Sequence, residues 1–163
     1  MKSNVCNIVF GGIGGQGILK ASEICATAAL CEGHHVKKSE VHGMAQRGGS
    51  VESHVRFGDA VYSPLVGAGG ADYLVCFHED EHERLRRFLR REGVDLTVYL
   101  KQAADALRDR RQLNTFLVGV LSAHLEISQG SWEKALEAVF ESRIREENYR
   151  VFVAGRSLKH DME

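Results

Sequence analysis

The 163-residue sequence contains one proline, one tryptophan and four cysteines. With Pro64 as its only proline, the chain has no proline-rich linker, and long segments are left free to form helices and strands. Cys6, Cys25, Cys31 and Cys76 never approach the Cys-x-x-Cys spacing of zinc, redox or cluster sites. They lie inside apolar segments, which suits small buried hydrophobes in a reducing compartment. No run of ~18 apolar residues is present to span a bilayer. Charge of one sign is also missing, since 21 Lys and Arg stand against 22 Asp and Glu. That balance gives no reason to expect a nucleic-acid or anionic-membrane partner. Met1 to Asn4 runs directly into strand-like sequence without an apolar leader, so no signal peptide is read and a cytoplasmic location is expected.

What is present fits one domain over residues 1–163, long enough to hide roughly 70% of the surface its unfolded chain exposes. Val5 to Phe10 is an apolar, β-branched run and reads as a buried strand. A glycine loop follows, and then apolar and alanine positions recur at helical spacing from Ile18 to Glu32, with Gly33 placed to end the helix. Val36 to Glu40 reads as a second strand, giving the order of a parallel βαβ unit. Val51 to Phe57 alternates, with Val51, Val55 and Phe57 on one side and Glu52, His54 and Arg56 on the other. Gly58-Asp59 then signals a hairpin into Val61 and Tyr62. Tyr73 to Phe77 is a strand covered on both faces.

His78 to Arg91 reads as a helix with acids first and arginines last, matching its dipole. Val94 to Val98 is expected as the last strand. Helices follow over Gln102 to Arg110, Leu113 to Ile127 and Ser131 to Glu147, with Ser131 as an N-cap. The segment from Tyr149 onward has no assignment. The fold class expected is α/β, a three-layer Rossmann-like and mostly parallel doubly wound sheet with a helical C-terminal part.

Two loops carry the chemistry. Gly12-x-Gly14-x-x-Gly17 follows a strand and opens a helix, the context of a dinucleotide fingerprint, in which glycines let the backbone approach a phosphate. Glu40 is the acid at about the interval a ribose contact requires. The competing reading is that the glycines, Gly15 among them, only permit close packing of helix on strand or of the loop on another subunit. The second loop, His42-Gly43-Met44-Ala45-Gln46-Arg47-Gly48-Gly49-Ser50, sets an imidazole, an amide, a guanidinium and a hydroxyl between two strands. Arg47 among small residues suits bidentate binding of a carboxylate or phosphate. The competing reading is a surface loop without a ligand.

Gly11 to Gly17, Val41 to Ser50 and Tyr62-Ser63-Pro64-Leu65 together resemble the gamma domain, the small subunit, of the 2-oxoacid:ferredoxin oxidoreductases. The His-Gly-Met-Ala-Gln-Arg-Gly-Gly form resembles the indolepyruvate branch. The likeness runs closely over residues 7 to 77, resumes at Leu113-Asn114 and returns at Ala154-Gly155-Arg156. It departs after Tyr73–Phe77, where a further strand and loop usual in the family give way to a charged helix and Val94 to Val98.

The resemblance implies oxidative decarboxylation of an aryl pyruvate with coenzyme A as co-substrate and ferredoxin as electron acceptor. It also implies a large partner subunit that carries thiamine diphosphate and the iron–sulfur clusters. His42, Gln46 and Arg47 are the residues expected to shape the interface or the coenzyme A and 2-oxoacid pocket. Gly12, Gly14, Gly15, Gly17, Gly48, Gly49 and Ser50 are the backbone positions expected to meet a phosphate or cofactor group. No metal site is expected on this chain, and isolated copies are expected to pair through the partner-facing surface.

Two other functions remain open on the sequence. One is a stand-alone module binding NAD or FAD through Gly12, Gly14 and Gly17. The other is a zinc peptidase, because His78-Glu79-Asp80-Glu81-His82 has the form His-Glu-x-x-His. A working zinc helix is buried among apolar neighbours, whereas this one opens with charged residues, as a solvated first turn does. His124 reads as a satisfied core histidine, Trp132 as a core or interface anchor, and the arginines after Arg84 as a solvated face or a ferredoxin contact.

Overall fold

A computed structural model describes residues 4–43 and 48–158. Its strands are β1 (Val5–Ile13), β2 (His35–His42), β3 (Ser50–Gly58), β4 (Ala71–Cys76) and β5 (Leu89–Asp95), in the spatial order β2-β3-β1-β4-β5. The helices are α1 (Ile18–Cys31), α2 (Glu79–Leu85), α3 (Leu100–Ala106), α4 (Leu113–Ser122), α5 (Gln129–Val139) and α6 (Ser142–Ser157). β1 pairs in parallel with β4, and β4 in parallel with β5, while β3 runs antiparallel to both β1 and β2. β1, β2, β4 and β5 therefore point one way and β3 runs against them. The α/β architecture agrees with the sequence reading.

The opening unit differs from expectation in one respect. β1, α1 and β2 do form a crossover, but β3 is inserted between the two strands, so β1 and β2 do not pair. The ladder runs from Val5 opposite Gly58 to Ile13 opposite Ser50 on one edge of β3, and from His35 opposite Gly58 to His42 opposite Val51 on the other. Returning along the strand just made satisfies the backbone of β2 and of β1 at once. The expected hairpin at Gly58-Asp59 is absent. Val61 and Val66 turn into the core there, and Tyr62 stays exposed.

Alternation along the strands gives the sheet two unlike faces. On one, Ile8 and Phe10 of β1, Val55 and Phe57 of β3 and Val75 of β4 join α1, α4, α5 and α6 in the main core. On the other, Val9, Ala71, Leu74 and Cys76 meet Leu85 of α2, Phe88, Leu89 and Val66 in a smaller cluster. α1 ends as predicted: Gly33 takes a left-handed φ of 96°, the Gly33 N–H bonds Leu30 C=O, and the His34 N–H bonds Ala29 C=O. Gly119 of α4 and Gly155 of α6 let those two helices touch backbone to backbone. A Cβ on Gly155 would run into the Phe116 carbonyl, and one on Gly119 into that of Phe152.

Several boundaries shift. The helix read from His78 to Arg91 stops at Leu85, a 3₁₀ turn covers Arg86–Phe88, and Arg90 and Arg91 lie on β5. There the Arg90 guanidinium pairs with Asp72 at 2.8 Å instead of facing a helix dipole. The strand expected at Val94 to Val98 begins earlier, at Leu89, and gives way to a 3₁₀ turn at Leu96–Tyr99. The single helix read from Ser131 to Glu147 is two, because Phe140 leaves helical geometry to bury its ring. Ser128, not Ser131, caps α5, accepting the Ser131 N–H at 3.3 Å. The part of the unassigned segment from Tyr149 to Ser157 is the second half of α6.

Trp132 is a core residue, fully buried against Phe152. His124 lies just past α4, half-buried and packed on Tyr73. Cys25 and Cys76 are buried as expected, but Cys31 is exposed, because the last turn of α1 clears the sheet.

Candidate functional site

The C-terminal end of β1 is where an α/β sheet places its sites. Here the two glycine loops, far apart in sequence, meet each other. The Gly14 N–H donates to the Gly49 carbonyl at 2.9 Å. A Cβ on Gly14 would sit 3.7 Å from Gly48 N and Gly49 O. The Gly43 N–H reaches the Ser50 carbonyl, closing the second loop at its base. His42 ends β2, exposed and opposite Val51. Gln46 and Arg47 lie outside the described residues.

The first loop is filled from within. Gln16 folds back, its Oε1 accepting the Ile13 N–H at 3.0 Å and its Nε2 donating to the Phe77 carbonyl at 3.0 Å. A Cβ on Gly12 would lie 2.6 Å from that Oε1. Gly17 is required twice over, by its φ of 77° and by Asn114, whose Nδ2 would be 2.5 Å from an added Cβ. The Gly15 position is open, and a cleft of about 500 Å³ runs from Gly15 and Gln16 past His78 to Leu107 and Arg110.

This arrangement bears on the dinucleotide reading. The backbone N–H groups of Ile13, Gly14 and Gln16 are all taken by protein oxygens. Glu40 lies on β2, separated from β1 by β3, and pairs with Lys38 at 2.9 Å. Two strand spacings, roughly 9–10 Å, thus divide the acid from the glycine strand. Close packing of one loop on the other is what the glycines serve here. The stand-alone NAD or FAD module is not favoured.

Beside the loops, the polar side of β3 is buried rather than solvated. Glu52 and His54 are 7% and 3% exposed. The His54 Nδ1 accepts the Val66 N–H at 3.0 Å, which places the ring proton on Nε2, 3.2 Å from Glu52 Oε1. Arg84 of α2 bridges Glu52 to Glu81, and Glu81 Oε1 accepts the Ser50 hydroxyl at 2.9 Å. Hydrogen bonds from His54 and Arg84 hold the Glu52 carboxyl below its usual range, against the opposing effect of burial. The sequence reading singled out none of Glu52, His54, Glu81 or Arg84 as site residues. The only available signal was an acid and a histidine at i and i+2 on a strand whose neighbours are buried.

The other candidate motif dissolves. His78 is the N-cap of α2, its Nδ1 accepting the Asp80 N–H at 3.2 Å. His82 is bound to Asp95 at 2.5 Å. Among the described residues no three His, Cys, Asp or Glu side chains gather as metal ligands. Burial raises the Cys25 and Cys76 thiols and pushes Cys6 up to about 12. Among the described residues, neither an iron–sulfur cluster nor the metal-bound diphosphate of thiamine fits the donors present. No helix among the described residues is long and apolar enough to cross a membrane.

A five-stranded sheet with helices on both faces and its loops gathered at the β1 end is an architecture shared with known oxidoreductase subunits. The gamma subunit of a keto/oxoacid ferredoxin oxidoreductase from Geobacter sulfurreducens superposes with a TM-score of 0.76 at 24% identity, over 92% of this chain and 95% of that one. A 2-oxoglutarate:ferredoxin oxidoreductase from Magnetococcus marinus, solved with 2-oxoglutarate, coenzyme A and succinyl-CoA, gives 0.82 at 18% identity, over 96% of this chain and 31% of that one.

In sequence, the pyruvate ferredoxin/flavodoxin oxidoreductase family model matches residues 7–98, more than half of the chain, and the protein belongs to that family. The indolepyruvate oxidoreductase subunit IorB of Pyrococcus horikoshii is 47% identical over 91 residues, 56% of this chain and 45% of that protein. The aligned stretch thus spans less than half the length of that relative.

Proposed function

We propose that this chain is the small subunit of an indolepyruvate-type 2-oxoacid:ferredoxin oxidoreductase. The reaction is coenzyme A-dependent oxidative decarboxylation of an aryl pyruvate, releasing acyl-CoA and CO2 and passing electrons to ferredoxin. The observation that supports this most is the joining of the two motif loops at Gly14 and Gly49. Residues typical of the family's signature form one surface at the sheet end. Gly14 and Gly15 expose backbone on that surface, Gly12 and Gly17 are packed beneath it by Gln16 and Asn114, and Gly48, Gly49 and Ser50 close on it.

On this reading the large subunit carries thiamine diphosphate and the iron–sulfur clusters. When bound there, they supply carbanion stabilisation and electron transfer. This chain's task is to complete the pocket, with His42, Gln46 and Arg47 as the residues that shape the interface or the coenzyme A and 2-oxoacid pocket. A cytoplasmic assembly is the setting.

The test is co-expression with the large subunit of the same genome, co-purification, and a ferredoxin-coupled assay on indolepyruvate with coenzyme A. A brown complex active only with both chains is the expected result. A colourless chain that binds no partner and supports no turnover overturns the proposal.

A further inference from the structure

On the α2 side of the sheet, the buried Glu52 and His54 and the half-buried Glu81 and Arg84 form one continuous hydrogen-bonded line between two exposed segments. At one end the Ser50 hydroxyl, directly after Gly48-Gly49, is held by Glu81. Arg84 joins Glu81 to Glu52, and Glu52 faces His54. At the other end His54 receives the Val66 N–H, fastening the stretch that carries Tyr62 and Leu65, which are 92% and 55% exposed. Arg56 ties the same stretch down through the Ser63 carbonyl at 2.8 Å.

Apolar side chains of the same shape would cover the sheet about as stably as a buried ionic group. What such a group adds is directional bonding: each carboxylate oxygen and each guanidinium nitrogen fixes its neighbour's position. Both Glu81 oxygens are used, one by Ser50 and one by Arg84, and both Glu52 oxygens likewise, by His54 and Arg84. No member can shift without moving the next.

We propose that Glu52, His54, Glu81 and Arg84 are positioning residues that set the contact between the glycine loops and, from the same centre, the Tyr62–Leu65 segment. They do not touch substrate. They hold Gly49 against Gly14 and Val66 against the sheet, so two surfaces that meet a ligand or partner are placed by one network.

The inference rests on the proposed subunit role only for its kinetic reading. The primary measurement is amide hydrogen exchange on the full isolated chain. In the charge-removing variant Glu52→Gln/Glu81→Gln/Arg84→Met, exchange in peptides covering 11–17, 48–53 and 62–68 is expected to quicken about five-fold or more, the loss of roughly one hydrogen bond. Peptides from α4 and α6 should stay unchanged. Ser50→Ala, which removes one terminal bond and carries little risk to folding, should quicken 11–17 and 48–53 but leave 62–68 alone. Arg84→Lys should recover part of the protection, since an ammonium keeps the charge but not the planar fork.

In the assembled enzyme the triple variant should lose about tenfold in kcat/KM, and Arg84→Lys should lose less. Wild-type exchange at 11–17 in Ser50→Ala, or quickening spread evenly over the chain in the triple variant, overturns the proposal. An enzyme without activity on any 2-oxoacid, but with the expected exchange pattern, overturns the subunit role and leaves the positioning network standing.

Discussion

The two faces of the sheet are built from different materials. Towards α1, α4, α5 and α6 the contacts are aliphatic and aromatic, with Trp132, Phe10, Phe116 and Phe152 almost fully excluded from solvent. Towards α2 a small apolar cluster shares the face with Glu52, His54, Arg84 and Glu81. Hydrophobic burial is non-directional and scales with area, so the first face supplies stability. Charge-assisted hydrogen bonds are strong and directional, but desolvating their charges offsets much of that strength, so the second face supplies placement. The glycine loops lean on the second.

Substitutions can break that division, beginning with the apolar face. Trp132→Ala should cost about 3–5 kcal/mol in urea denaturation, the loss of a fully buried aromatic. Gly155→Ala should follow at about 3 kcal/mol, because the new methyl meets the Phe116 carbonyl and α4 must move off α6. If either costs less than a change on the ionic face, the division fails.

On the ionic face, Glu52→Gln should cost about 1–2 kcal/mol by the same measurement. Glu52 is lowered in the folded state, so its contribution is present above the ordinary carboxylate range and is lost as pH falls through the folded value. The gap between wild type and Glu52→Gln should therefore be widest near neutrality and close in acid.

The smallest effect belongs to Glu32, at the end of α1. Its carboxylate accepts from Ser131, Ser128 and the Ser128 N–H, which lower it from 4.5 to about 2. The folded pKa is depressed, so the bond is fully effective above about pH 4.5 and fades towards pH 2. A Glu32→Gln variant should differ slightly from wild type in thermal midpoint near pH 6 and match it near pH 2. A difference that grows in acid would reverse the assignment.

Much of the apolar side was legible in the residues. Val5 to Phe10, Ile18 to Glu32 with its Gly33 stop, and the period of Val51, Val55 and Phe57 read directly as strand, helix and strand. Hydrophobic period reports which side a residue faces, and the apolar face obeys it. The positions of Gly12, Gly14, Gly17, Gly48 and Gly49 were legible as special backbone. Their mutual contact was not, because one lies after β1 and the other before β3, and only the β1–β3 ladder brings them together.

The polar face was illegible for a related reason. Glu52 and His54 alternate with core residues as any solvated strand does, and nothing local says that Arg84 lies above them. The break at Phe140 and the start of β5 at Leu89 were also decided by what each segment packs against, which outweighs helix propensity.

By itself, the sequence determined the α/β class, the glycine-rich loops, the family likeness and the identity of most core positions, because periodicity and backbone chemistry act within a few residues of each other. Tertiary structure alone decided that β3 enters between β1 and β2, that the two glycine loops close on one another, and that a partly buried line of hydrogen bonds reaches from Ser50 to Val66. Those are contacts between distant segments, and a hydrogen bond has no counterpart in the chain until folding brings its donor to its acceptor.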